Sequence, residues 1–510
     1  MSDNSANKRI AKNTLLLYFR MMFMMVISLY TSRVILASLG IEDYGIYNVV
    51  GGFVGMFAII SGSLNAAINR FLTYEMGTGD DSNLKRVFST AITIQVILSA
   101  IIVFLAETIG LWYVNNIMVV PADRLDAANW CYQFSIVTFV VSLLSVPYNS
   151  AIIAHERMSA FAYVSIFEAV GRLSIAFLIN YNPFDRLIYY GILLAIFSFV
   201  VQYTYIRYCK RHFEETRFRF SFDKEMLSRM FSFAGWNFIG AGSRVLRDTG
   251  GNLLLNFYFG PTVNAARGIS NSICHAVTQF SENFMTALNP QITKSYACNE
   301  REHMFTLIYT GARLSAFLML FLSTPIILNT KFLLQIWLKE VPDHAALFAQ
   351  LSIFYALSEI ISYPLVTAML ATGNIRNYQI VVGGFQCLNI PVAWVLLQLG
   401  CIPETVVMVS IFVAHCCLAS RLYMLRSMIN LNAKSFFISV YCKVVVVMVL
   451  GYVLPFFTHL YTPDGWIDFF ATSSVSVLSM SVVILYIGCT QSERVFVFAK
   501  AKQIINKFPR

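Results

Sequence analysis

The chain has 510 residues, of which 57% are hydrophobic, 15% aromatic and only 13% charged, and its mean hydropathy is +0.64. Soluble domains carry about a quarter charged residues, so this composition excludes one and predicts an all-α polytopic membrane protein. The net charge of +10 is explained by membrane orientation, so no nucleic-acid partner is expected.

Apolar runs able to cross a roughly 30 Å hydrocarbon core as helices recur along the chain. In order, fourteen are predicted: 12–39, 46–69, 87–113, 130–153, 161–180, 186–206, 229–258, 262–292, 305–328, 344–370, 378–399, 404–425, 436–459 and 467–490. The first begins with Lys8, Arg9 and Lys12, as a signal peptide would. Its apolar stretch is too long for one, holds Arg20 and lacks a small-residue cleavage site, so it reads as a retained first span.

With the N-terminus inside, only Arg124, Arg186, Lys331 and Lys339 fall in outer loops. That asymmetry places both termini in the cytoplasm and favours an even number of spans. The basic 207–229 stretch then reads as an inner-face anchor near anionic lipid, and Arg124 as an outer-loop residue remote from any site. The ten cysteines are scattered in or beside spans with no C-x-x-C pair, so neither a disulfide framework nor a zinc site is expected.

An internal repeat is also legible. A shift of 220 residues sets "LGIEDYGIYNVVGG" (39–52) on "FGPTVNAARGISNS" (259–272), matching Gly40 with Gly260, Asn69 with Asn289 and Thr73 with Thr293. A shift of 217 matches Pro147 with Pro364 and Ala154 with Ala371. The expected organisation is an N-terminal six-helix lobe (1–206), a cytoplasmic linker (207–228), a C-terminal six-helix lobe (229–427), and two additional spans with a basic cytoplasmic tail (428–510). Lobes related by an axis along the membrane normal would hold substrate between them near mid-membrane.

The eighth span is unusually polar. At 100° per residue, Arg267, Asn271, His275, Thr278, Glu282, Thr286 and Asn289 fall within an arc of about 100° over about 33 Å. A polar face this long is costly in lipid and predicts a cavity wall rather than a local hydrogen-bonded seam. The matching face of the second span, Gly52, Gly55, Gly62, Ala66 and Asn69, is small, which suits close helix packing or space opposite a polar wall.

Arg20, Arg33, Arg172, Arg244, Arg247, Arg267, Arg313 and Lys443 are read inside spans, against Glu107, Glu168, Asp248, Glu282 and Glu359. Glu168 with Arg172, and Arg244 with Asp248, stand four apart and are expected to pair. The excess of base remains. Guanidinium forks suit phosphate oxygens, so the predicted cationic set is Arg20, Arg33, Arg244, Arg247 and Arg267, in a cavity lined by Asn69 and the stripe, for an amphipathic anion. Glu282, with His275 seven residues away, and Asp248 are the candidates for ion coupling.

The stretches "SRVILASLGIEDYGIYNVVGG", "NRFLTYEMG" and "VPYNSAIIAHERMSAFAYVSI" resemble polysaccharide-biosynthesis flippases of the Wzx type, the O-antigen and capsule branch of the multidrug/oligosaccharidyl-lipid/polysaccharide exporter superfamily. The resemblance implies a multi-pass protein of the bacterial inner membrane that moves undecaprenyl-diphosphate-linked oligosaccharide outward for surface polysaccharide or lipopolysaccharide assembly. Its implied partners are that lipid-linked substrate, membrane lipids and other assembly proteins, and no cofactor or metal is implied. Related lipid II flippases hold the diphosphate with cations of spans 1, 2 and 8. Arg20 and Arg267 match by span; Arg70 lies at the cytoplasmic end of the second run, so the span-2 cation is missing from the match. A cation antiporter of the same superfamily is the nearest alternative, and a membrane-embedded polymerase or acyltransferase the next. The predicted loops are short, and no P-loop, G-x-S-x-G or H-E-x-x-H motif occurs.

Overall fold

The computed structural model describes residues 3–55, 57–116, 121–181, 185–217, 223–338, 341–463, 465–491, 493–495 and 498. The side chains of Lys8, Arg9 and Lys12, the burial of Gly52 and Gly55 on the small face, Lys339 and residues 499–510 of the basic tail lie outside the described features. Among the described residues the chain is helical with no strand, as backbone that must satisfy its own hydrogen bonds in lipid requires. Eleven of these helices are long and apolar enough to cross a membrane. The helices covering the second, seventh and eighth predicted runs form as well, but miss that criterion, so it gives eleven where the sequence reading expects fourteen.

The chain divides into two compact units, Met1–Ala241 with Thr293–Asn299, and Gly242–Ile292 with Glu300–Arg510. Unit 1 contains α1 (Asp3–Gly55), α2 (Ala58–Thr78), α3 (Asp81–Leu105), α4 (Leu111–Asn116), α5 (Leu125–Ala154), α6 (Met158–Leu178) and α7 (Arg186–His212). Two long helices then pass from one unit to the other: α8 (Lys224–Phe259) at Ala241–Gly242 and α9 (Pro261–Ala297) at Ile292–Thr293, just after Pro290. Unit 2 continues with α10 (Arg301–Leu328), α11 (Thr330–Trp337), α12 (Ala345–Thr372), α13 (Arg376–Cys387), α14 (Asn389–Gln398), α15 (Thr405–Ile429), α16 (Ala433–Phe436), α17 (Lys443–Tyr461) and α18 (Trp466–Val483).

Local chemistry explains many boundaries. Asp80 caps α3 and Asp185 caps α7 by accepting backbone N–H groups, and Gly79 and Gly373 end α2 and α12 at positive φ. The repeat-matched Gly40 and Gly260 both have positive φ, 84° and 79°. Gly40 interrupts α1, and Gly260 separates α8 from α9. Pro147 and Pro364 both lie inside helices. Because α1 ends at Gly55 and α2 starts at Ala58, the predicted 46–69 run consists of two helical pieces. Because α2 continues to Thr78, Arg70 sits inside that helix rather than at its end. A π-turn at Ala106–Gly110 follows α3, and the Tyr132 hydroxyl donates to the Ala106 carbonyl at 2.8 Å, beside the bond that carbonyl already accepts from the Leu111 N–H.

The core of unit 1 packs Ile35, Leu39, Ile46 and Val50 of α1 against Tyr132 and Leu187. Unit 2 has a core around Leu255, Ala266, Leu334, Phe348 and Val406. In unit 1, the stretch quoted for the family resemblance forms a tight turn between α5 and α6. Buried Glu156 there has φ 58°, and its carboxylate accepts from Lys294 Nζ at 2.9 Å. His155 lies 2.5 Å from Glu215 and stacks on Phe213. Burial alone would raise the Glu215 carboxyl, but the hydrogen bond with His155 holds it below the ordinary range.

Arg124 is not the isolated outer-loop residue the sequence suggests. Its guanidinium pairs with Asp43 and Asp185, each at 2.5 Å, joining the start of α5 to α1 and to the cap of α7. Burial disfavours its charge, but these carboxylates more than compensate and raise its pKa; Asp185, opposed by burial, is nevertheless held low by Arg124 and two backbone N–H groups. A depressed carboxylate stabilises the fold above its unfolded pKa, near 3.9, and loses that contribution as pH falls through its folded value. Arg124→Ala is therefore expected to lower Tm by a margin that is constant near neutrality and shrinks below about pH 4, as measured by thermal melts of both proteins across pH. A margin unchanged at low pH removes this account.

Candidate functional site

In unit 2, α8 and α9 bring together two of the expected cations. Arg247 is half-buried, holds Asp248 at 3.0 Å and donates to the Tyr355 hydroxyl of α12, with its guanidinium 5.0 Å from that ring's centre. Asp248 thus pairs with its chain neighbour Arg247, not with Arg244 as helical spacing predicts, and Arg244 is exposed. Arg267 is only 6% exposed. Its guanidinium lies over Gly251, where an added Cβ would stand 2.6 Å from Nη1, so the glycine makes the space it occupies. Arg267 is also within electrostatic reach of Asp248 and Arg247, and its Nη1 is buried with no hydrogen-bond partner among the described residues.

The polar stripe of α9 is divided. Asn271, His275 and Glu282 are exposed, Thr286 and Asn289 half-buried, and Arg267 and Thr278 buried. Thr278 donates to the His275 carbonyl and Thr286 to the Glu282 carbonyl, while Asn289 accepts from Thr367 of α12 at 2.8 Å. The predicted single wall is therefore an exposed row flanked by residues engaged in packing. The reason is that α9 buries Ala266, Ser270, Val277, Ser281 and Leu288, and the edge of that buried face takes in Arg267 and Thr278.

Unit 1 holds the remaining candidates. Arg20 of α1 donates from Nη1 to Ser165 Oγ at 3.3 Å and lies 4.4 Å from the Phe161 ring centre on α6. Arg33 is exposed. Asn69 donates to Asn65, which also accepts from Ser150. The expected Glu168–Arg172 pair is present at 2.7 Å.

The sequence reading set Arg70 at the end of a run and passed over Arg421. Arg70 is surrounded by the rings of Phe71, Tyr74 and Phe233 in unit 1, a cation held by aromatic faces. Arg421 of α15 is 2% exposed and lies 4.0 Å from Glu359 of α12 in unit 2. Its position inside the apolar run 404–425 was the available signal. A third feature also went unread: Ser135, Thr138, Ser142, Ser145 and Asn149 follow one another at alternating spacings of three and four on α5, one face of a helix. They line a cavity of about 410 Å³ wholly within unit 1, together with Glu168 and Arg172. No group of three or more His, Cys, Asp or Glu side chains suited to a metal occurs among the described residues.

A family model described as polysaccharide biosynthesis protein matches residues 8–297. No curated protein matches. Among solved structures, an outward-facing multidrug resistance MATE family transporter of the MOP superfamily is 11% identical, with a TM-score of 0.70 over 83% of this chain and 97% of that one. A MATE structure in the bent conformation is 13% identical with a TM-score of 0.71, over 83% and 96%. A MOP superfamily transporter from Pyrococcus furiosus, described as having reversed polarity of its binding pocket, is 11% identical with a TM-score of 0.63, over 83% and 96%. The chain has the fold of these transporters and is a multi-pass helical membrane protein.

Proposed function

We propose that this chain, which belongs to the polysaccharide biosynthesis protein family, is a flippase that carries undecaprenyl-diphosphate-linked oligosaccharide units outward across the bacterial inner membrane, with both of its termini cytoplasmic. The observation that carries this reading is the coincidence of that family with a transporter fold. The arginines support an anionic head group: Arg247 and Arg267 lie within electrostatic reach of each other in unit 2, and guanidinium groups match phosphate oxygens. We assign the diphosphate to Arg20, Arg33, Arg244, Arg247 and Arg267, and contacts along its route to Asn69, Asn271, His275, Thr278, Glu282, Thr286 and Asn289.

In this mechanism no bond is made or broken. The head group is exposed alternately to the two sides while the polyprenyl tail stays in lipid. An inside-negative potential favours outward movement of negative charge by about 2.3 kcal/mol per charge per 100 mV. A diphosphate with two charges gains about 4–5 kcal/mol if it crosses the whole field.

Cells depleted of the protein, with the rest of the pathway intact, are expected to accumulate complete lipid-linked units on the cytoplasmic leaflet. Truncated units, or complete unpolymerised units facing outward, would instead assign the protein to a step before or after translocation. The structures of similar fold include a multidrug resistance transporter, so a cation antiporter is the second reading; drug accumulation in the depleted strain, with surface polysaccharide unchanged, would establish it.

Glu282 is the carboxylate best placed for ion coupling. It is exposed on α9, whereas Asp248 is held by Arg247. Glu282→Gln is expected to slow flipping and to abolish its response to collapse of the proton or sodium gradient. Full activity of the variant, together with gradient-independent wild-type flipping, would remove coupling through this residue.

A further inference from the structure

We infer that the cavity of unit 1 is a carbohydrate-binding site, a track along α5 that takes sugar rings of the head group; the source of those sugars rests on the flippase reading. The cavity is not one of the arginine sites, and its chemistry differs from theirs. From Ser135 to Asn149 its polar face extends about 21 Å at the helical rise.

The hydroxyls here act as acceptors. Ser135 donates to the Cys131 carbonyl at 2.8 Å, Thr138 to Phe134 at 2.8 Å and Ser145 to Val141 at 3.0 Å, while Ser198 of α7 donates to Ala195 at 2.6 Å. Each hydroxyl has one proton, so its remaining lone pairs are open to a donor, from water or from a ligand that displaces it. The side-chain oxygen of Asn149 is buried and accepts no hydrogen bond from the described residues. An occupant that displaces water here and keeps these oxygens hydrogen-bonded is rich in O–H or N–H groups.

Charge narrows the class further. Glu168 and Arg172, 2.7 Å apart, contribute opposite charges to the same wall. An isolated anion meets the carboxylate and an isolated cation meets the guanidinium, whereas hydroxyl groups can donate to one and accept from the other. The apolar lining includes Tyr47, Phe134, Phe139 and Phe197, whose rings offer flat surfaces to the C–H faces of a pyranose. A polyprenyl or acyl chain would fill such walls but leave the buried Asn149 oxygen dry. The volume of about 410 Å³ lies within the roughly 300–1,000 Å³ of small-molecule pockets. A neutral ligand with many hydroxyls and apolar ring faces satisfies all of these conditions.

The test uses the full chain in lipid nanodiscs and, as probe, oligosaccharide released by mild acid from the host's lipid-linked pool. Binding is read by calorimetry and by saturation-transfer NMR. Ser142→Trp fills the cavity from an exposed position and is expected to weaken binding at least tenfold. The double variant Thr138→Val with Asn149→Leu keeps the shape but removes acceptors, and is expected to weaken it several-fold at unchanged Tm. Tyr423→Ala, at an exposed position of α15 outside the cavity, is expected to bind as wild type does.

Absence of binding to wild type overturns the inference, as does equal binding by wild type and the double variant, or a loss of binding in Tyr423→Ala as large as in the double variant. Its fate is separable from that of the flippase reading. A protein that binds released oligosaccharide but moves no lipid-linked unit keeps this site and loses that reading; one that flips units without binding the oligosaccharide loses this site alone.

Discussion

Arg267→Ala is expected to cut translocation tenfold to a hundredfold without unfolding the protein. The side chain is buried on α9 over Gly251, and its Nη1 has no hydrogen-bond partner among the described residues. A buried, incompletely satisfied guanidinium is costly, and completion by an anion gives it a role. Each charge-assisted hydrogen bond to phosphate contributes about 1.5–3 kcal/mol, and about 1.4 kcal/mol corresponds to tenfold, which sets the expected loss. Arg267→Lys keeps the charge without the planar fork and should fall between wild type and alanine.

Gly251→Ala is a complementary variant. Its Cβ would crowd Nη1 at 2.6 Å, displacing the guanidinium without deleting it, so transport should fall less than in Arg267→Ala. The measurement is leaflet-resolved lipid-linked oligosaccharide, normalised to the amount of protein. Thermal melts should show Arg267→Ala at least as stable as wild type, since a poorly compensated buried charge has been removed. Wild-type transport by all three variants would remove Arg267 from the site.

Glu493→Ala is expected to give the largest loss of stability. Arg313 of α10 is 6% exposed and donates from Nη2 to Glu493, beyond α18, at 2.7 Å. Burial would raise the Glu493 carboxyl, but the Thr490 backbone N–H and Arg313 hold it low. Without the carboxylate, Arg313 is left as an uncompensated charge among apolar helices. Breaking a buried pair in this way costs about 3–5 kcal/mol. The lower end applies because the Glu493 side chain remains 21% exposed.

The expected result is a lower Tm and less protein in the membrane, with near-normal transport per molecule. Unchanged thermal stability would show that Arg313–Glu493 does not hold the C-terminal helices to α10. Loss of transport per molecule at unchanged Tm would give the pair a functional role instead.

Helix type and the main helical segments were legible because hydropathy and helix-ending residues act locally. Gly40 and Gly260, matched by the repeat, both adopt positive φ, and Glu168–Arg172 forms as its four-residue spacing predicts. The same local reasoning failed where alternatives competed. Asp248 had two arginines on its own helix, and α12, supplying Tyr355, helped place Arg247 beside it. Arg124 looked remote because Asp43 and Asp185 are distant in sequence.

By itself, then, the sequence determined a helical membrane chain with an excess of base within its apolar runs and a polar eighth run, since each follows from composition and spacing along one dimension. Only the tertiary structure decided which parts of that polar run are packed, that Arg70 lies among aromatic rings, that Arg421 approaches Glu359, and that the hydroxyl face of α5 opens on a cavity. The physical reason is that helical periodicity says which residues share a face, whereas what the face meets depends on helices distant in sequence.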